Sequence, residues 1–142
     1  MSSGILFAII AATAFGAWTV FHQQAASKID YLVGAIIISL TASMLGLIIL
    51  LPRIKSVDLF SNYKGLAFAI LAGICALAID YFALKSYGTG LAVSVAGPII
   101  IGGSIAVATV IGLFLGESLS LIKALGLIMV ISGASILAVY GN

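Results

Sequence analysis

Asp80 is the residue of this chain with the most chemistry to offer, because it stands inside an apolar run. At the centre of a bilayer a carboxylate costs roughly 2.5–3.5 kcal/mol on the insertion scale, and less toward the surface. So placed, it would act as a proton carrier or as the counter-ion of a cationic substrate. The plainer alternative is that it pairs with Lys85 or a polar neighbour and only orders its surroundings. Phe15, Trp18, Thr19 and His22 form a second grouping. Their i, i+3, i+4, i+7 spacing puts them on one helix face, where aromatic rings would receive an apolar or cationic group by contact or cation–π attraction. Trp and His near a helix end also serve as interfacial anchors. Tyr81 and Tyr87 offer hydroxyls near Asp80, or belong to the aromatic belt at the membrane surface. A third grouping is Ser94, Gly97, Pro98, Gly102, Gly103 and Ser104. Such Gly/Pro interruptions free backbone carbonyls to line a site, with Ser94 as a candidate substrate contact and Gly97 and Pro98 as a candidate hinge.

Other chemistries are poorly provided for. Cys75 and His22 are each the sole residue of their type, so an intramolecular disulfide or a metal site is not expected. No Ser/His/Asp set, paired carboxylate or P-loop is present. The expectation is therefore a protein that is not an enzyme, holds no cofactor and is not driven by a built-in ATP motor.

These residues must be positioned by membrane-spanning helices. Hydrophobic residues make up 63% of the 142 positions and charged ones 7%, the reverse of what keeps a soluble domain dissolved. Five apolar stretches, 4–21, 32–51, 65–84, 90–115 and 121–140, each have about the twenty residues that one crossing needs. None alternates as a barrel strand would. The first carries no basic side chain ahead of it and is read as a retained helix rather than a signal peptide. The joints are short except at 52–64. There Pro52, Arg53 and Lys55 end the second helix, and Val57, Leu59, Phe60 and Tyr63 suit the headgroup zone. The expected architecture is an all-α integral membrane protein, one five-helix domain over residues 1–142.

Arg53, Lys55, Lys64 and Lys123 fall on the membrane side of the N-terminus, while Lys28 and Lys85 fall opposite. Four against two is a weak bias toward a cytoplasmic N-terminus, compatible with insertion in both orientations. The net charge of +2 is spread over the joints, so no nucleic-acid partner is expected.

From the third span onward the chain resembles the drug/metabolite transporter superfamily, both its EamA-type repeat and its small multidrug resistance branch. Phe82-Ala83-Leu84-Lys85 is similar to the end of the EamA third helix, and Thr89-Gly90-Leu91-Ala92 to the Thr-Gly-Ile-Ala of the small multidrug branch. Gly116-Glu117-Ser118-Leu119 is similar to the Gly-Glu-Arg/Lys-Leu that closes the fourth helix, and Gly126 and Gly133 reproduce two glycines seven residues apart in the last one. The resemblance implies that the five helices are one half of an inverted-repeat transporter bundle. Since an odd number of spans puts the termini on opposite sides, a second copy would insert inverted, giving an antiparallel homodimer with its cavity at the interface. Gly126 and Gly133 would form the dimer seam; Gly112 and Gly116 form a further small-xxx-small pair.

The small multidrug branch carries a membrane-embedded Glu in its first helix, and the equivalent position here is Thr13. Its proton and drug-cation exchange therefore does not carry over, although Thr13 could give substrate a hydrogen bond or else bond back to its own helix. The reading that follows is a secondary transporter of small amphipathic metabolites. It would work by alternating access as a dimer in a plasma or inner membrane, with substrate contacts at Asp80, Trp18, Thr13, Phe15, Tyr81 and Ser94. The alternatives are a small multidrug exporter, a non-transporting membrane subunit that assembles with a partner, and, with least support, a channel.

Overall fold

A computed structural model of the protein describes residues 3–57 and 62–140. Five helices follow one another: α1 (Ser3–Ala26), α2 (Tyr31–Leu50), α3 (Tyr63–Gly88), α4 (Val93–Phe114) and α5 (Leu121–Tyr140). The shortest have 20 residues, about 30 Å at 1.5 Å per residue and so the thickness of the hydrocarbon core. Their large apolar side chains point outward; Ile49, Phe114 and Ile122 are 76%, 88% and 83% exposed. A soluble protein buries such residues, whereas here they meet lipid. The all-α membrane architecture expected from composition is the one observed.

Local signals explain where the helices begin and end. Asp30 caps α2, its carboxylate accepting from the backbone N–H groups of Leu32 and Val33 at 2.9 and 3.1 Å. Asn62 and Ser120 cap α3 and α5 in the same way, accepting from Gly65 and Lys123. Pro52 ends α2, after which Leu51–Ser56 tightens into a 3₁₀ helix. α4 closes in a Schellman turn: Glu117 N–H donates to the Gly112 carbonyl and Gly116 N–H to that of Leu113. Gly116 adopts φ +89°, a left-handed conformation that glycine takes without strain.

Two boundaries extend past their apolar stretches. α1 continues from 21 to Ala26 and α3 from 84 to Gly88, because polar residues end a lipid-crossing stretch without ending the i→i−4 ladder. Past Gly88 the chain tightens into i→i−3 bonds from Thr89 and Gly90, and Gly90, φ +94°, turns it away. Of the residues expected in the headgroup zone, Val57 and Tyr63 are exposed, and Leu59 and Phe60 lie outside the described residues.

The helices pack as a three-helix group, α1–α2–α3, and an α4–α5 hairpin; α4 also touches α1 and α3, and among the described residues α5 touches only α4. Small residues make the close crossings. A Cβ on Gly34 would stand 2.8 Å from Leu84 Cδ1 where α2 meets α3, and one on Gly102 would stand 2.6 Å from Ala134 Cβ where α4 meets α5. Both crossings lie within the chain, apart from the Gly126 and Gly133 positions expected at a dimer seam. Gly116 lies beyond the end of α4 and serves as a cap rather than as half of a helix-face pair with Gly112, whose open side is filled by the Glu117 carboxylate.

The core gathers at one end of the bundle, where Ala26, Ala35, Ala83, Leu84, Tyr87 and Ala96 meet from four helices. Toward the other end, residues 3–17 of α1, 40–49 of α2 and 63–79 of α3 are all exposed. The three helices are thus joined near Lys28 and Lys85 and splay apart toward the side of Arg53, Lys55 and Lys64.

Candidate functional site

The splay leaves a groove of about 700 Å³ between α1, α2 and α3, walled by Ala11, Ala14, Phe15, Trp18, Ile38, Ala42, Gly73, Ala76 and Ile79. Its polar lining comes from Ser39, Ser43 and Asp80. A smaller cleft of about 380 Å³ lies between α4, the joint 115–120 and α5, lined by Glu117 and Lys123 among others.

On α1, helical spacing aligns three rings. Phe15 stacks on Trp18 with centroids 4.9 Å apart, and Trp18 lies on His22 at 3.7 Å. Phe15 and Trp18 face the groove, while His22 passes behind them and is 2% exposed. There Nε2 of His22 lies 3.2 Å from Oδ1 of Asp80, itself 5% exposed, and Nδ1 lies 3.0 Å from the Trp18 carbonyl oxygen. The Ser39 hydroxyl donates to Oδ2 of Asp80 at 3.4 Å, and the Ser43 hydroxyl donates to the Ser39 carbonyl at 2.8 Å. Three helices therefore supply one polar cluster: His22 from α1, Ser39 from α2 and Asp80 from α3. Among the described residues His22–Asp80 is the sole close contact between a basic and an acidic side chain. Each group gives the other a polar partner away from water.

The candidate residues divide cleanly by position. Asp80, Trp18 and Phe15 come together in the groove. Thr13, Tyr81 and Ser94 do not line it. Thr13 is exposed and its hydroxyl donates to the Ile9 carbonyl at 2.9 Å, a bond back to its own helix. Tyr81 is half-buried, edge-on to Phe82, with the Lys85 ammonium 5.9 Å from its ring centroid. Lys85 is thereby engaged with Tyr81, and Asp80 is paired with His22. Ser94 is exposed in the first turn of α4. Gly97 is buried and Pro98 half-buried inside α4, which continues as one helix through both. Gly126 and Gly133 meet no atom within 4 Å of an added Cβ, so the α5 face they form is open within the chain.

Reading the sequence left two members of the cluster unassigned. Ser39 was not singled out, and His22 was placed on the right helix face without its partner. One signal was available: His22 and Asp80 both occupy the last third of helices that run in the same direction, and so stand at similar height.

Neither a curated protein nor a solved structure matches the chain. A model of the EamA-like transporter family matches residues 2–139, and with five helices long and apolar enough to cross a membrane the chain belongs to that family of membrane transporters, the drug/metabolite kind that its helix-end motifs resemble.

Proposed function

We propose that the protein is a secondary transporter that moves a small amphipathic metabolite by alternating access as an antiparallel homodimer in a plasma or inner membrane. One observation carries this reading. The groove joins an apolar, aromatic wall at Phe15 and Trp18 to a single ionic centre at Asp80, within the membrane-spanning stretch. Such a surface fits a ligand with one apolar body and one polar head. The groove opens between helices that are joined at one end only, so a second copy packed on the splayed side would complete the cavity wall. The face of α5 bearing Gly126 and Gly133 supports a dimer seam, because it is uncovered in the chain and lets another backbone approach closely. Pro98 supports a hinge: it lacks an N–H, so α4 gives up the hydrogen bond to the Ser94 carbonyl and bends there at lower cost.

The test is uptake of a panel of labelled amines, amino acids and sugars by proteoliposomes containing the purified protein. At least one solute is expected to exceed the protein-free control, with uptake lost in Asp80→Asn and reduced in Trp18→Ala. Uptake indistinguishable from that control across the panel overturns the reading. Cysteine labelling of both termini in a Cys75→Ala background tests the assembly, since an antiparallel homodimer requires each terminus to label from both sides of the membrane.

A further inference from the structure

The 3₁₀ helix Leu51–Ser56 begins where the second apolar stretch ends, at the level where hydrocarbon gives way to headgroups. A 3₁₀ helix has about three residues per turn, so side chains at i and i+3 eclipse. Leu51 and Ile54 therefore form one row, which Val57 prolongs in sequence. Pro52 and Lys55 form a second row, and Arg53 and Ser56 a third. Every residue from 51 to 57 is exposed. The segment is thus amphipathic, with one apolar row beside two rows that each carry a cation.

The protein's own helices do little to place this segment. Ala35 is the last buried residue of α2, so the helix runs on to Leu50 without entering a core. Among the described residues the 3₁₀ helix packs on α2 alone. Its position, and that of the splayed end of α2, must therefore come from contacts outside the helix bundle.

We infer that residues 51–57 are an anchor for anionic phospholipid, which fixes the splayed end of α2 and thereby the width of the groove. Leu51, Ile54 and Val57 enter the acyl boundary, while Arg53 and Lys55 hold headgroup phosphates. Charge decides the kind of lipid. On this side of the membrane Arg53, Lys55, Lys64 and Lys123 stand against Asp58 and Glu117, an excess of positive charge. A zwitterionic headgroup brings a cation of its own next to its phosphate, whereas an anionic one brings none. Arg53 and Lys55 also follow the C-terminal end of α2, whose carbonyls favour cations. That role is the same in every lipid and makes no use of the apolar row. The anchor does not depend on what the groove carries.

The sole cysteine makes site-specific labelling direct. In the Cys75→Ala background, a spin label at Ser56→Cys reports depth through its collisions with oxygen and with a water-soluble nickel chelate. Bilayers contain phosphatidylcholine alone or mixed with phosphatidylglycerol, with both leaflets alike so that orientation is immaterial. The label is expected to lie deeper in the mixed bilayer, and to rise again in about 1 M sodium chloride, where screening acts within about 3 Å. Arg53→Gln combined with Lys55→Gln should remove the difference, while Lys28→Gln combined with Lys85→Gln, on the opposite side, should keep it. A label pair at Ile5→Cys and Leu47→Cys, on the splayed ends of α1 and α2, should show a narrower distance distribution in the mixed bilayer, lost in the Arg53/Lys55 variant. Thermal unfolding of that variant in detergent, matching the parent protein, separates lost lipid contact from misfolding. Equal depth in the two bilayers, or a difference that survives in the Arg53/Lys55 variant, overturns the inference. So does a depth that follows the protein-to-lipid ratio rather than lipid charge, which would make a second copy the occupant. Failure of the uptake panel would sink the transporter reading and leave these measurements standing.

Discussion

The Trp18 indole lies on the His22 ring with centroids 3.7 Å apart and planes 43° apart. One Trp and one His are present in the whole chain, so the contact can be read without interference. A ring lying on an indole alters its emission. Trp18 emission in His22→Gln should therefore differ from that of the parent protein, because the ring on which Trp18 lies is removed. Fluorescence spectra of the two proteins in detergent or bilayers at one pH measure it.

Asp80→Ala and Asp80→Asn should separate loss of a partner from loss of a charge. The alanine leaves Nε2 of His22 buried with nothing to bond, at a cost of about 1–3 kcal/mol. The amide of Asn restores a donor to Nε2 and should recover most of that stability. Thermal unfolding of the detergent-solubilised variants is expected to rank the parent protein and Asp80→Asn together, above Asp80→Ala.

At the α4–α5 crossing, Gly102→Ala sets a methyl about where the Ala134 methyl already stands, since the built Cβ lies 2.6 Å from it. Neither methyl can rotate away, so the helices must separate, at about 1–3 kcal/mol. Adding Ala134→Gly should recover most of the loss. A thermal-melt double-mutant cycle checks this coupling. Gly34→Ala should cost less than Gly102→Ala, because there the close atom is the tip of the flexible Leu84 side chain.

Gly133 has open space on its α5 face. Within one chain Gly133→Ala should be harmless, and helix propensity favours it by about 1 kcal/mol. Gly133→Leu should nevertheless lower the crosslinked dimer fraction in liposomes while leaving the monomer's melt intact. An undiminished dimer with Leu at this position would remove α5 from the seam.

Much of this architecture follows from side-chain polarity alone. Five apolar runs give five helices, and the order of motifs from Phe82 to Gly133 points to the family that the chain belongs to. Asp80 stood out for the same reason, a charge where lipid tolerates few. The partners of Asp80 were harder to find, because the His22 contact spans 58 positions of sequence and depends on how α1 slides along α3. Helix faces were hardest of all. In a soluble helix, polar residues mark the outward side, but when lipid and the protein interior are both apolar the pattern loses its direction. Glycine then marks close approach without naming the neighbour. Gly102 meets α5 and Gly34 meets α3, whereas Gly126 and Gly133 have open space beside them and Gly116 only turns the chain.

The attachment of α5 to α4 alone bears on how the molecule is made. Helices that leave the ribosome first need neighbours of their own until the rest emerges. α1, α2 and α3 already have them, and α4 with α5 can enter the bilayer as a ready-made hairpin. Residues 89–92 are then a seam of biogenesis, and a gene divided there should yield two pieces that find each other in the membrane and rebuild the core around Ala96.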